Sequence, residues 1–580
     1  MCGIAGVIGR AGASEQVTRM IAALAHRGPD GAGVCEMSPE IAFGHARLAI
    51  LDLSSNGAQP MTSRDGRWTI VCNGELFNYR ELREELDAAP WRSSCDTEVL
   101  LEACAAWGIE RSLDRFIGMF AFALWDARER ELILARDRSG EKPLVYFEQG
   151  RTLAFASELK ALRDFHSSYV DRTALEVYLA LGYVPAPLAI FRNVRKLPAG
   201  HWLRWKDGHS KTERWWFPEW AHPIVSCTPA GKREEARSLI ADAVRLRLRS
   251  DVPVALALSG GIDSTVIAAE AARQDVRLDA FTVITEGDET DLPYARRVAQ
   301  QYDLRHEVLR AQAASAAERV LDAAGHFDEP LADSSALSSL KLARALAGRY
   351  KVVLNGDGGD EAFGGYRHYS RIAAKQAVKA AAACVGLVDG NGATGVYVES
   401  KVTFREGERA ALLGRSPLGG SRGALSRLLT ADEFLKASPK GALRKALWTD
   451  RHLYLANNLT HKMDIALGAY GIEGRSPFLD HRILEWTQQL PARDLVRAGK
   501  KKILLRAAYR EELPEEISAR PKHGFGAPIK TWLAGPLREM VRDLLPCPLL
   551  DPELQLHARG QRLWTLLTFA QWAARWKVTC

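Results

Sequence analysis

The chain has 580 residues, too many for one hydrophobic core, so two domains are expected. A hydrophobic fraction of 47% and a charged fraction of 26% are ordinary for a soluble globular protein, and no apolar run is long enough to cross a bilayer. The net charge of +7 is mild for this length and the densest basic run, Lys500-Lys501-Lys502, is short, which argues against a nucleic-acid partner. Nine cysteines, an odd count without a CxxC pair, make neither a disulfide framework nor a zinc site. Cys35, Cys72, Cys104 and Cys384 sit among apolar or small residues and read as buried thiols. Met1-Cys2-Gly3-Ile4-Ala5-Gly6-Val7 carries no basic leader, so no signal peptide is expected and reduced cytoplasm is the expected compartment.

In chain order, the part up to about Trp205 reads as short strands punctuated by turns, at residues 4–8, 68–72, 120–125, 131–135 and 152–156. Their β-branched and aromatic content with Gly or Asp between them favours a layered sheet protein with a few helices. Lys206-Asp207-Gly208 makes a turn, and residues 215–223 form an aromatic, Pro-bearing stretch suited to a packed linker. After Lys232 the texture becomes that of long helices between apolar strands at residues 254–258, 278–284 and 351–354, with a helix starting near Ser264. Such alternation implies a doubly wound parallel sheet with ligands at the strands' carboxyl ends. Beyond Arg371 the chain is mostly helical, the Gly-rich stretch 386–423 reads as loop, and residues 563–576 carry apolar residues at the spacing of a core-packed helix. The expected division is residues 2–205, a linker at 206–231, and residues 232–580.

Three places carry chemistry. Cys2 follows the initiator Met; its small side chain permits removal of Met1, and an α-amine titrating at about 7.7–8.0 could then take the thiol proton. Ser259-Gly260-Gly261-Ile262-Asp263-Ser264 joins a buried strand to a helix. Its glycines let backbone N–H groups approach phosphate oxygens, Ser259 and Ser264 add hydroxyl donors, and the helix N-terminus favours an anion. The pattern is not the Walker GxxxxGK[ST], so cleavage between the α- and β-phosphates is expected, with Asp263 the evident Mg2+ ligand. Asn355-Gly356-Asp357-Gly358-Gly359-Asp360-Glu361 lies at another strand end. There Asp360 could give magnesium a second carboxylate, and Asp357 stands where a base or acceptor-binding residue would sit.

Around Cys2-Gly3-Ile4-Ala5-Gly6 the sequence resembles the class II glutamine amidotransferases, through His26-Arg27-Gly28-Pro29-Asp30-Gly31, Gly44-His45-Ala46-Arg47-Leu48, Asn73-Gly74-Glu75 and Asp96-Thr97-Glu98. The resemblance implies an N-terminal nucleophile-type αββα sandwich. In it Cys2 attacks the side-chain amide of glutamine, Arg47 holds the α-carboxylate, Glu75 and Asp96 bind the α-ammonium, and Asn73 and Gly74 stabilise the oxyanion. The Ser259–Ser264 loop resembles that of N-type ATP pyrophosphatases. With Arg136-Asp137-Arg138, Gly140-Glu141-Lys142-Pro143-Leu144, Asp328-Glu329-Pro330 and Glu473-Gly474-Arg475-Ser476-Pro477-Phe478-Leu479-Asp480, the whole chain resembles the glutamine-hydrolysing asparagine synthetase family.

That resemblance implies an α/β chain whose second part, a doubly wound ATP pyrophosphatase domain, ends in a helical region. It implies ATP and Mg2+ as cofactors, with Leu258, Ser259, Gly260, Gly261, Asp263, Ser264, Val283 and Gly356 at the nucleotide and Lys502 on the pyrophosphate. The partners are glutamine, ATP and a small carboxylate, aspartate favoured, with a homodimer compatible. Many family members carry Glu where this chain has Asp357, and the Gly-Asp-Gly-Gly-Asp-Glu form also occurs in relatives that amidate sugar acids or other metabolites. Another small carboxylate is therefore the alternative acceptor. A tRNA-modifying ATP pyrophosphatase shares the Ser259–Ser264 loop, but that class commonly brings paired cysteines and a basic face.

Overall fold

The computed structural model describes residues 1–86, 90–217, 228–285, 289–311, 316–383, 401–414, 423–430, 441–497, 499–520 and 526–579. Its first third is a sandwich of two six-stranded sheets. One sheet orders its strands Val194–Lys196, Val145–Gln149, Thr152–Ala156, Gly3–Ile8, Ile41–Arg47 and Gly31–Ser38, paired antiparallel throughout. The other runs His209–Arg214, His201–Lys206, Glu131–Arg136, Gly118–Asp126, Trp68–Leu76 and Met61–Thr62, also antiparallel.

Period-two alternation explains the layering. In the first strand Ile4 and Ile8 pack inward with Phe43, Val71, Ala121 and Phe155, between the sheets. Ala5 and Val7 point the other way, onto Val17, Met20 and Ile21 of helix Ala13–Ala23. On the far side Val99 and Leu100 of helix Asp96–Trp107 cover Ile70, Cys72 and Phe122 of the second sheet. The result is the expected αββα order, and Lys206-Asp207-Gly208 turns the hairpin that closes at Arg214.

The second part is built on a five-stranded parallel sheet in the order Arg305–Ala311, Asp279–Thr285, Val254–Ala257, Val352–Leu354, Glu473–Arg475. Strand Val254–Ala257 has a neighbour on each side, so the loop leaving it and the loop leaving Val352–Leu354 open into one crevice, where open α/β sheets bind ligands. Helix Ile262–Arg273 begins inside the Ser-Gly-Gly loop, two residues ahead of Ser264. The tail helix Gln561–Trp576 buries Trp564, Leu567, Phe569 and Trp572 in the core, as its spacing implied.

Two readings of the sequence need correction. Cys72 and Cys104 are buried, but Cys35 is half-exposed, because strand Gly31–Ser38 is an edge with a partner on one side only; Cys384 lies outside the described residues. The Gly-rich stretch is not all loop, since Glu406–Leu412 is helical, with the Glu408 side chain accepting from the Arg405 backbone N–H at 2.8 Å.

The two parts meet across buried charge. Arg27, fully buried, donates to Glu158 at 2.6 Å within the sandwich and to Asp464 of the parallel half at 2.7 Å. Lys351 reaches Asp30 at 2.9 Å and the Asp52 N–H donates to Asp251 at 2.8 Å. Buried ions are tolerated only where each meets an opposite charge or several hydrogen bonds, so the buried Arg27 cluster fixes the register between the halves, with the more exposed Lys351 and Asp52 contacts beside it.

Candidate active sites

The pairing of Gly3 with Ala46 sets Cys2 beside Arg47 on the neighbouring strand. The Cys2 sulfur accepts from the Leu48 N–H at 3.5 Å, and the Arg27 guanidinium donates to the Cys2 carbonyl at 2.9 Å. Cys2 also packs on an apolar cluster of Leu48, Ile50 and Val352, the last from the parallel sheet, so the thiol lies at the seam between the halves. Arg47 is half-buried, with its fork held by the carbonyls of Ser54, at 2.7 Å, and Asp52.

Strand Trp68–Leu76 brings the next three residues. Asn73 is fully buried and neither polar atom of its amide has a partner among the described residues. Leaving a buried amide unpaired costs about 1–3 kcal/mol, a cost that an oxyanion accepting from Nδ2 would remove. Gly74 has φ 151°, and a Cβ there would run into the Met119 carbonyl of the adjoining strand, so no other residue fits. Glu75 and Asp96 are both buried, and the Asp96 carboxylate accepts from the Leu76 N–H at 2.7 Å.

Burial pushes Asp96 up to about 6, against the Leu76 hydrogen bond that lowers it. Burial, then the Asp96 charge, raises Glu75 well above the usual carboxylate range. Glu473 adds a third carboxylate, while the cations acting on Glu75 are Arg475 and Lys142, and Lys142 is itself paired with Asp464 at 3.5 Å. A surplus of buried negative charge suits an ammonium group. It also sets a pH dependence. An ammonium partner is held by the ionised form of Asp96, and that form is lost as pH falls through about 6. The kcat/KM for glutamine hydrolysis is therefore expected to fall below that pH, approaching about tenfold per unit. A pH profile of Asp96→Asn should be lower and lack this limb; an unchanged limb would remove Asp96 from the site.

The second site is a cavity of about 440 Å³ at the carboxyl ends of the parallel strands. Of the residues expected there, Leu258, Ser259, Gly261, Asp263, Ser264, Val283, Gly356, Asp357, Asp360 and Lys502 line it. Gly260 does not: it turns the loop from behind with φ 63°, its carbonyl taking a hydrogen bond from Arg520 at 3.2 Å. Lys502 donates to Asp263 at 2.6 Å and lies 2.7 Å from an Asp360 oxygen, so both carboxylates converge on one cation. Gly365 permits this approach, because a Cβ there would strike the Asp360 carboxylate and the Lys502 side chain.

Two converging carboxylates are hard oxygen donors of the kind Mg2+ takes, with water and phosphate oxygens completing its shell. Among the described residues no cluster of three or more metal-ligating side chains occurs. The pair Asp263 and Asp360, both drawn to one cation, fits the protein's share of such a shell.

The cavity also contains residues the sequence reading missed. Lys462, buried, donates to Ser335 at 2.7 Å and lies 3.6 Å from Asp333. Glu361 accepts from the Tyr366 hydroxyl at 2.5 Å, and burial pushes it up to about 7, where a carboxyl can exchange protons near neutrality. Glu361 stood in view beside Asp360. Lys462 had no local signal, since its partners come from a distant helix.

Comparison with known proteins finds matches in both halves of the chain. A family model described as glutamine amidotransferase domain matches residues 1–216, and one described as asparagine synthase matches residues 235–574. Asparagine synthetase [glutamine-hydrolyzing] 1 of Bacillus subtilis is 30% identical, over 99% of this chain and 96% of its own length. The chain belongs to the glutamine-hydrolysing asparagine synthetase family. It is an enzyme of that class, a carbon–nitrogen ligase carrying out glutamine-dependent, ATP-driven amidation. The B. subtilis asparagine synthetase [glutamine-hydrolyzing] 2 is 31% identical over 90% of this chain and 72% of its own. Amidase chyE of Penicillium rubens is 27% identical over 94% and 91%. No helix among the described residues is long and apolar enough to cross a membrane.

Proposed function

We propose that this synthetase amidates aspartate to asparagine, forming AMP and pyrophosphate. The supporting observation is the Lys462–Asp333 pair in the wall of the nucleotide cavity, a buried cation 3.6 Å from a carboxylate. Such a pair complements the α-carboxylate and α-ammonium of an amino acid and leaves the side-chain carboxylate to react. That carboxylate attacks the α-phosphorus of ATP and pyrophosphate departs, with Lys502 offsetting charge on the leaving group. Mg2+, held by Asp263 and Asp360, would supply further charge neutralisation at the phosphates. Ammonia then attacks the acyl carbon of the adenylate, AMP leaves, and Asp357 or Glu361 can take the proton released.

The ammonia comes from glutamine. With Met1 removed, the α-amine of Cys2 takes the thiol proton and the sulfur attacks the amide carbon. Asn73 and Gly74 donate to the oxyanion, ammonia leaves, and water hydrolyses the thioester to glutamate. The apolar seam of Leu48, Ile50 and Val352 beside Cys2 favours passage of neutral ammonia over ammonium.

The test is an acceptor screen with ammonium chloride and Mg-ATP, following pyrophosphate and amide product. Aspartate is expected to give both, and Lys462→Met to raise its KM by about tenfold or more, the loss of one charge-assisted contact. Release of pyrophosphate with a sugar acid or other carboxylate but not with aspartate would keep the two-site chemistry and replace the acceptor. The Asp357 position and the amidase-named relative make that the second reading.

A further inference from the structure

We propose that Arg475 is a positioning residue that couples the glutamine site to the acidic loop of the synthetase site. The inference rests on the reading of Glu75 as a partner of the glutamine ammonium.

Arg475 ends strand Glu473–Arg475, the outermost of the parallel sheet, and is fully buried. Its guanidinium reaches Glu75, one of the two proposed ammonium carboxylates, from the synthetase half. Nη2 lies 3.3 Å from Glu75, while Nε donates to Glu473 at 2.7 Å. Nη1 donates to the carbonyls of Arg247 at 3.0 Å and Arg249 at 2.6 Å, where the chain passes from its long helix towards the nucleotide strand. The backbone of the same residue holds the other site. The Arg475 carbonyl accepts from the Asn355 N–H at 3.0 Å, and the hydroxyl of the next residue, Ser476, donates to the Asn355 side-chain oxygen at 2.6 Å. That oxygen also accepts from the Asp357 N–H at 3.0 Å. One residue therefore touches Glu75 with its side chain and the first turn of the Asn355–Glu361 loop with its backbone.

The contact with Glu75 is the long arm of the fork, and the contact with Glu473 the short one. An ammonium group arriving at Glu75 and Asp96 favours the ionised form of Glu75, which burial otherwise disfavours, and so alters the attraction on Nη2. A shift of the guanidinium between Glu75 and Glu473 is transmitted through the strand end to Asn355 and the Asp357 amide. By reciprocity, ATP and acceptor ordering the acidic loop must change the affinity for glutamine by the same factor.

The experiment uses the full-length enzyme and Arg475→Lys, which keeps the charge but cannot reach Glu75, Glu473 and two carbonyls together. Three quantities are read: glutamine hydrolysis without ATP, the change in glutamine KM on adding Mg-ATP and acceptor, and the ratio of glutamate to pyrophosphate in full turnover. Amidation from ammonia is expected to persist. The effect of Mg-ATP and acceptor on glutamine KM is expected to disappear, and glutamate per pyrophosphate to rise roughly fivefold or more. An unchanged ratio with an unchanged KM response would overturn the proposal. Should the lysine variant not fold, Ser476→Ala decides, since it removes the hydroxyl bond to the Asn355 side-chain oxygen on which the Asp357 N–H rests, while leaving the guanidinium in place. It should leave ATP-free glutamine hydrolysis at the wild-type rate and raise the same ratio; wild-type coupling there would overturn the proposal equally. Glu75→Gln separates the premise: if it leaves the glutamine KM unaltered, the ammonium reading of Glu75 fails, whatever Arg475 does.

Discussion

Replacing Cys2 with alanine is expected to lower amidation from glutamine by about 10³-fold or more while leaving amidation from ammonia near the wild-type rate. The sulfur is the atom that bonds to the glutamine carbon, and the side chains it packs on, Leu48, Ile50 and Val352, carry no group that could replace it. The change removes one half-buried sulfur whose hydrogen-bond partners are the Leu48 backbone groups, so packing of the first strand should survive. Asn73 and Arg47 remain, and glutamine should still bind. Pyrophosphate release measured in parallel with glutamine and with ammonium chloride checks this. Loss of both activities would mean that Cys2 acts on the fold or on the synthetase site, and the nucleophile would have to be sought elsewhere.

Replacing Lys502 with methionine is expected to have the opposite selectivity. Amidation from glutamine and from ammonia should both fall by about 10²–10³-fold, the usual loss on removing one charged group from a developing anion. Hydrolysis of glutamine in the absence of ATP should be unaffected, because Lys502 contacts only synthetase-half groups in the hydrogen bonds and ion pairs described. Methionine keeps the length and bulk of the side chain where it passes Gly365. It removes the cation on which Asp263 and Asp360 converge, so their mutual repulsion is left to any bound metal ion. Exchange of labelled pyrophosphate into ATP isolates the adenylation step. If exchange is intact while amide formation is lost, Lys502 serves the second step, attack by ammonia, and its assignment to pyrophosphate is wrong.

These two results would divide the molecule where the sequence had already divided it. Strand Gly3–Ile8 was legible because β-branched Ile4, Val7 and Ile8 stand between glycines, while the structure assigns Ile4 and Ile8 to one face and Ala5 and Val7 to the other. The Ser259–Ser264 loop was legible for a related reason: its glycines, hydroxyls and carboxylate are contiguous, and their effect depends on the strand before and the helix after. The tail helix announced itself by spacing. Cys35 was misread because its neighbours in sequence resemble those of a buried strand; only the sheet order makes Gly31–Ser38 an edge. Helix Glu406–Leu412 was hidden in a Gly-rich context that suggested loop, although its Glu408 carries one half of a capping arrangement.

The sequence by itself determined the two chemistries, one thiol at the start of a strand and one phosphate-binding turn, because each is written in a few adjacent residues whose backbone geometry is local. Local texture also pointed to a layered sheet protein followed by a parallel sheet, while the αββα order came from the resemblance to the class II glutamine amidotransferases. Tertiary structure decided what surrounds those residues. Lys502 meets Asp263 across 239 positions, Lys462 meets Ser335 across 127, and Arg475 meets Glu75 from the opposite half of the molecule. The contacts depend on burial, which strengthens each charge–charge interaction and makes every unpaired charge costly, and burial is a property of the packed chain as a whole.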